Sequence, residues 1–241
     1  MKRIFVLKLG STFPDLAGRR GDFEDWVVQG MSLSGGEATV VDVPAGQALP
    51  GHDEPAGVVM TGAHEMVTER FAWSRQVEAW LPGLVEREVP TLGICYGHQL
   101  LAEALGGRAG DNPRGREIGS VTLTLTAHAA ADPLFSLYET GPAVYVSHAQ
   151  SALALPPGAT LLASSAREPH HAFRLGKCVW GVQFHPEFDA DITREYVQQF
   201  GDSLQREGQD PKKLQENCAA YSPGAEVLVR FRQFVETGLV D

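Results

Sequence analysis

The chain has 241 residues and a formal net charge of −10. That length allows one sizeable core and one or two domains, and the acidic balance argues against a general binder of nucleic acid or anionic membrane. No apolar run approaches bilayer-spanning length. Met1-Lys2-Arg3 begins with positive charge, but Ile4 to Leu9 is too short for a signal-peptide core and contains Lys8. Cys95, Cys178 and Cys218 make an odd count with no disulfide framework, which predicts a reduced, cytoplasmic setting.

Ile4-Phe5-Val6-Leu7 reads as a first strand buried on both faces, broken by Gly10-Ser11. No Gly-x-x-x-x-Gly-Lys or Gly-x-Gly-x-x-Gly follows, so this is not read as a phosphate loop. Asp22 starts a helix with acids in its first turn and an apolar face at Phe23, Trp26 and Val27. Ala38 to Val43 reads as a second strand, and strand-helix-strand at this spacing predicts a parallel βαβ unit. Gly57 to Met60 is a third strand, running into a turn at Thr61-Gly62-Ala63-His64 with His64 expected to face solvent or cap the turn. Met66 to Leu81 reads as a helix closed by Pro82, with Val67, Phe71, Trp73, Val77 and Trp80 as core.

Val89 to Gln99 is the most informative stretch. A short apolar strand turns through Gly93-Ile94-Cys95-Tyr96-Gly97 into a helix running on through Leu100, Leu101, Ala102 and Leu105. Gly-x-Cys-x-Gly is the cysteine counterpart of a nucleophile elbow. Such a turn strains its backbone and needs small neighbours on either side. It also puts Cys95 at a helix N-terminus, where free backbone N–H groups and the helix dipole favour a thiolate.

Gly106 to Gly119 reads as loop; Arg114, Arg116 and Glu117 could hold an anionic part of a ligand, but solvated side chains are the preferred reading. Val121 to Thr126 alternates with period two, a half-exposed strand expected outside the main sheet. Asp132-Pro133-Leu134-Phe135 opens a short helix or turn, and Ala143 to Val146 is another strand, ending at Ser147-His148-Ala149-Gln150. Thr160 to Ser165 and His171 to Leu175 read as a strand pair leading to Val179-Trp180-Gly181-Val182-Gln183-Phe184. Glu168, His170 and His171 cluster in sequence, but a metal site needs more ligands at fixed spacing, and none is predicted.

That last strand ends in His185-Pro186-Glu187. A thiolate attacking an amide needs a group to protonate the leaving nitrogen and then activate water, and histidine suits that work near neutral pH. A carboxylate two residues on can hold the imidazole in one tautomer, and the intervening proline limits how the pair moves. His148 is a poorer base by this reading, because no carboxylate sits beside it in sequence. Beyond it, Asp189 or Asp191 caps a helix with Ile192, Tyr196, Val197, Phe200 and Leu204 on one face. Pro211 marks a helix start, and Ser222-Pro223 reads as N-cap and N1 of a last helix with a stripe at Val227, Leu228, Phe231, Phe234 and Val235. That stripe is expected to pack back onto the sheet, with burial against a second subunit or a synthetase partner as the weaker alternative.

Gly93-Ile94-Cys95-Tyr96-Gly97-His98-Gln99 together with Gly181-Val182-Gln183-Phe184-His185-Pro186-Glu187 resembles the class I glutamine amidotransferases, and most closely the amidotransferase domain of GMP synthase. The resemblance covers roughly Ile4 to Phe200 and implies one α/β domain, flavodoxin-like and three-layered, with a mostly parallel sheet flanked by helices. Residues 1–205 would form the amidotransferase unit and 206–241 a helical extension packed on it. The resemblance also implies that Cys95 attacks the amide of glutamine, His185 shuttles the proton and Glu187 orients His185. In the Thr61-Gly62-Ala63 loop it implies an oxyanion hole at Gly62 and Ala63, completed by the N–H of Tyr96. Where relatives have a second glycine this chain has Ala63, which would be strained if a positive φ were required. Gln99, Ser147, His148 and Ala149 match substrate-contacting positions, with Ala149 in place of a glycine. On physical grounds alone Gln99 reads equally as a solvated helix residue.

The expected reaction needs neither metal nor organic cofactor. Glutamine is the expected substrate, with a separate synthetase as the expected partner. A free-standing hydrolase of γ-glutamyl amides is the alternative reading, and a catalytically silent regulatory or binding protein on the same fold is another. No motif sets the oligomeric state or the ammonia acceptor.

Overall fold

A computed structural model describes residues 3–238. Met1 and Lys2, part of the charged start, lie outside the described residues. Strand β1 (Arg3–Lys8) is followed by helices α1 (Pro14–Arg20) and α2 (Phe23–Gly30), then β2 (Ala38–Asp42) and β3 (Pro55–Met60). Next come α3 (Ala72–Glu86), β4 (Thr91–Ile94) and α4 (Tyr96–Ala104). Six short strands then follow: β5 (Arg108–Asp111), β6 (Glu117–Thr122), β7 (Thr124–Leu125), β8 (Ala143–His148), β9 (Gln150–Ala154) and β10 (Thr160–Ser164). The chain closes with β11 (Ala172–Leu175), β12 (Val179–Val182), α5 (Ala190–Gln199), α6 (Gly201–Arg206), α7 (Pro211–Glu216) and α8 (Glu226–Thr237). No described helix is long and apolar enough to cross a membrane.

The main sheet has the order β2-β1-β3-β4-β12-β11-β10-β7. Pairing is parallel from β2 through β12 and antiparallel beyond it. Successive residues of the inner strands feed two separate cores. Val6, Val59, Leu92 and Trp180 point into one with α8, while Leu7, Val58, Met60 and Val179 point into the other with α3 and α4. Strands buried on both faces require apolar residues at every position, which is why β1, β3 and β4 show no polar alternation. A third core gathers Phe23, Trp26, Tyr145, Phe188, Ile192 and Tyr196 near the carboxyl end of β12.

This topology sets the site. β3, β4 and β12 are immediate neighbours, so their carboxyl ends lie side by side. The chain leaves them as the Thr61-Gly62-Ala63 loop, the Cys95 turn and the segment bearing His185. Ligands of open parallel sheets bind at such ends.

Several elements differ from the sequence reading. Residues 66–71 are not helical: a 3₁₀ turn at Val67–Glu69 ends at Arg70 with φ 55°. The helix α3 instead starts at Ala72 and runs through Pro82 to Glu86. Leu81 and Leu84 continue its buried stripe, and that burial outweighs the hydrogen bond the proline removes. α1 and β9 carry no strong periodic signal and emerge only in the structure. Residues 106–119 are not all loop, because β5 pairs with β9 and β6 begins at Glu117. The alternating stretch from Val121 divides: β6 pairs with β8 outside the main sheet, whereas β7 joins its edge through Leu125 opposite Ala163.

α8 packs onto the sheet with Val227, Leu228 and Phe231 fully buried. Two glycines admit it. A Cβ on Gly30 would come within 2.5 Å of Leu228 Cδ1, and one on Gly57 within 2.6 Å of Val235 Cγ2.

Candidate active site

Cys95 is the N-cap of α4, with φ 49° and ψ −98°. A non-glycine residue in that region is strained, and such strain persists only where neighbouring structure enforces it. The enforcing contacts are visible. Cys95 N–H donates to Val182 O at 2.8 Å, tying the turn to β12. A Cβ on Gly93 would lie 2.5 Å from Gly97 O, and one on Gly97 would lie 2.8 Å from Met60 Cβ. The two glycines therefore let strand, turn and helix approach more closely than side chains allow. Cys95 is nearly buried, and its sulfur lies 3.8 Å from the carbonyl oxygen of Ser147.

His185 follows β12 and is anchored through its backbone N–H to Tyr145 O at 2.8 Å. Its Nδ1–H donates to Glu187 Oε1 at 2.7 Å. A carboxylate can only accept here, so the proton is fixed on Nδ1 and Nε2 is the nitrogen free for chemistry. The ring is stacked on Phe188, centroids 4.0 Å apart, with Phe23 parallel to it at 6.1 Å. Burial alone would lower the imidazole pKa, but the charges of Glu187 and Cys95 and hydrogen bonds to both raise it well above the ordinary value. His185 therefore holds its proton beside the sulfur at neutral pH. Gly62 lies against both groups: a Cβ there would lie 2.9 Å from His185 Cε1 and 3.7 Å from Cys95 Cβ.

The cleft above them encloses about 160 Å³, below the ~300–1,000 Å³ typical of drug-sized ligands. Ala63, Tyr96, Gln99, Ser147, His148 and Ala149 line it beside Cys95 and His185. The backbone N–H groups of Ala63 and Tyr96 engage no other group among the described residues. Tyr96 is the first residue of α4, where the N–H has no helical acceptor. Ala63 does not have a positive φ, so the expected penalty for alanine there does not arise. Gln99 is buried rather than solvated. Its Nε2 donates to Gln150 O at 2.8 Å and Gln183 Oε1 at 3.1 Å, which fixes the amide in the cleft wall.

His148 has a carboxylate beside it after all, contributed from β6. Its Nε2 faces Glu117 Oε2 at 3.2 Å and its Nδ1 faces Gln150 O at 2.9 Å. The ring is thus committed to the strand framework and leaves only its backbone and edge to the cleft. His171 Nε2 reaches the same Glu117 oxygen at 3.0 Å, and Ser165 Oγ donates to the other at 2.7 Å. Burial would raise the Glu117 pKa, but the hydrogen bonds from His148 and His171 hold it well below the usual carboxylate range. The three ligand-type atoms lie within 4.8 Å of one another. The hydrogen bonds account for the convergence, and the set falls short of the four ligands of a structural zinc site. Glu168 and His170, adjacent to His171 in sequence, bond elsewhere, Glu168 to Ser151 and His170 to Ala152 O.

Three further residues reach the site, two of them without a local signal. His64 is half-buried rather than exposed: it packs against Phe13 and Phe23, and its Nε2 is 3.1 Å from the Tyr196 hydroxyl. Burial lowers its pKa, aided by repulsion from His185. Phe188 is the residue after Glu187, and an aromatic there is the one sequence hint of a ring stacked on the histidine. Arg116 lines the cleft, whereas Arg114 turns away to Ala166 O.

Comparison with known proteins fits this geometry. The family model for glutamine amidotransferase class-I matches residues 21–202. The glutamine-hydrolyzing GMP synthase of Marinobacter nauticus is 38% identical over 139 residues, covering 55% of this chain and 25% of that protein. The GMP synthase of Helicobacter pylori is 32% identical over 187 residues, covering 76% of this chain and 32% of that protein. The chain thus spans about a quarter to a third of the curated relatives it matches. Among solved structures, a glutamine amidotransferase from Thermotoga maritima superposes with TM-score 0.75 at 22% identity, covering 98% of this chain and 100% of that one. One from Methylobacillus flagellatus gives 0.76 at 21% identity, covering 99% and 96%. These two share the fold. With the family model matching most of its length, the chain belongs to the class I glutamine amidotransferases.

Proposed function

We propose that this protein hydrolyses the side-chain amide of glutamine through Cys95, His185 and Glu187. The observation that carries the reading is a strained cysteine at a helix N-terminus beside a buried imidazole whose far nitrogen is held by a carboxylate. The Cys95 thiolate attacks the δ-carbonyl carbon. The oxygen that becomes negative is met by the N–H groups of Ala63 and Tyr96, both otherwise unengaged. The carbon–nitrogen bond then breaks, and the His185 proton passes to the nitrogen, which leaves as ammonia. A glutamyl thioester remains on Cys95. Water deprotonated by His185 attacks it, releasing glutamate and restoring the thiolate. Glu187 keeps the His185 ring oriented throughout, and Phe188 and Phe23 restrict its rotation.

The similarity to GMP synthases supports transfer of the ammonia to an acceptor, and a synthetase partner is part of this proposal. Cys95, Cys178 and Cys218 are all unpaired, which suits a reducing cytoplasm. The test is release of ammonia and glutamate from glutamine by the purified chain, alone and with candidate synthetases and ATP. Turnover that requires a partner supports the subunit reading. Turnover of γ-glutamyl amines in preference to glutamine would replace it with the γ-glutamyl hydrolase reading, and no turnover of any amide would overturn both.

A further inference from the structure

The cleft carries two charged side chains that the triad does not use, Arg116 and Glu65. Arg116 precedes β6, and its guanidinium lies over the Phe200 ring, 4.6 Å from the centroid. Its Nε donates to Glu207 Oε1 at 3.3 Å. Stacking and that single bond fix the plane of the fork, while its two terminal nitrogens have no side-chain or backbone acceptor among the described residues. Glu65 follows the Ala63 loop. Its Oε2 is shielded from solvent and has no hydrogen-bond partner among the described residues. It rests against Gly10, where a Cβ would come within 2.9 Å of it. A shielded carboxylate oxygen without a donor is costly. A donor supplied by a bound molecule removes that cost.

Glutamine offers the complement. Beyond its amide it has an α-carboxylate, which suits the planar donors of a guanidinium, and an α-ammonium, which suits a carboxylate. Resting on the glutaminase reading, we infer that Arg116 binds the α-carboxylate of the substrate and Glu65 binds its α-ammonium. The cleft then selects amides that carry a free amino-acid end.

Truncated substrates separate this role from a structural one. Glutaramate lacks the ammonium, and 4-aminobutanamide lacks the carboxylate. Arg116→Met should raise KM for glutamine and glutaramate about 10- to 100-fold, the worth of one charged hydrogen bond. It should leave 4-aminobutanamide within about twofold, since the lost partner is absent there. Glu65→Gln should raise KM for glutamine and 4-aminobutanamide and spare glutaramate, with kcat little changed in either variant. A uniform loss across the three amides, or the reverse pairing, would overturn the assignment. Should the wild type hydrolyse none of them, either alone or with candidate synthetases and ATP, the amidase reading fails by itself, and calorimetric binding of L-glutamate to the same three proteins decides the pair. Weaker binding by both variants supports it, and equal affinity or no binding overturns it.

Discussion

His185 Nδ1 lies 2.7 Å from Glu187 Oε1, the two residues separated by one proline. The contact is buried, and the other Glu187 oxygen has no hydrogen-bond partner among the described residues, so the carboxylate's task there is to hold the imidazole. Glu187→Gln should lower kcat by about 10²- to 10⁴-fold, the range for a disabled general acid–base group. The pH profile should move too. Glu187 is a main source of the raised His185 pKa, so its loss lets the imidazole deprotonate sooner, and the alkaline limb of kcat/KM should shift to lower pH. Linkage has the same sign. A raised folded-state pKa gives stability present below about 6.5 and lost as pH rises through the folded value. Urea unfolding of the wild type should show that loss on the alkaline side, and Glu187→Gln should reduce it.

Gly62 lies against both Cys95 and the His185 ring. Gly62→Ala should displace His185, because the new Cβ would sit 2.9 Å from Cε1. A misplacement near 1 Å costs about 10²-fold in rate. Steady-state kinetics should show the loss, with a melting temperature close to the wild type.

Gly93 makes the opposite prediction. Its Cβ would meet the backbone oxygen of Gly97 at 2.5 Å, and backbone cannot rotate aside. Gly93→Ala should destabilise the protein by about 1–3 kcal/mol or more, read as a lower urea midpoint.

Glu117 joins β6, β8 and the turn before β11 through His148 and His171. Glu117→Gln should cost about 1.5–3 kcal/mol, because at least one histidine loses a charged acceptor. The depressed Glu117 pKa means its stabilisation is present above the ordinary value near 4.5 and lost as pH falls through the lower folded value. The variant's stability should accordingly vary less with pH on the acid side.

Phe231 is fully buried among Trp180 and its neighbours. Phe231→Ala should cost about 3–5 kcal/mol. We propose that residues 206–241 form an extension folding cooperatively with 1–205. Unfolding of the variant followed by two probes, one in each segment, should show a single coincident transition at lower urea.

The legible parts of the site are those whose partners are close in sequence. Gly93, Cys95 and Gly97 announce a strained turn, and His185-Pro186-Glu187 places a carboxylate within reach of its imidazole without any tertiary information. The apolar runs Ile4 to Leu7 and Val179 to Val182 mark strands, and the family resemblance of the two motifs supplies the sheet that carries them. Sequence alone favours solvated side chains at Glu117 and Arg116 over an anion-holding role, because their neighbours, His148, His171 and Phe200, arrive from distant elements. His64 was misread for the same reason: its exposure is decided by Phe13 and Tyr196. Pro82 misled because its usual cost is local, whereas Leu84 is secured by the core beyond it.

Formation of the covalent intermediate tests the central claim most directly. The protein would be mixed with glutamine, quenched in acid within the first turnovers and its peptides weighed by mass spectrometry. A glutamyl adduct on the peptide bearing Cys95, absent in Cys95→Ala, is the predicted result. Ammonia release at full rate by Cys95→Ala, with no adduct on the wild type, would contradict the account.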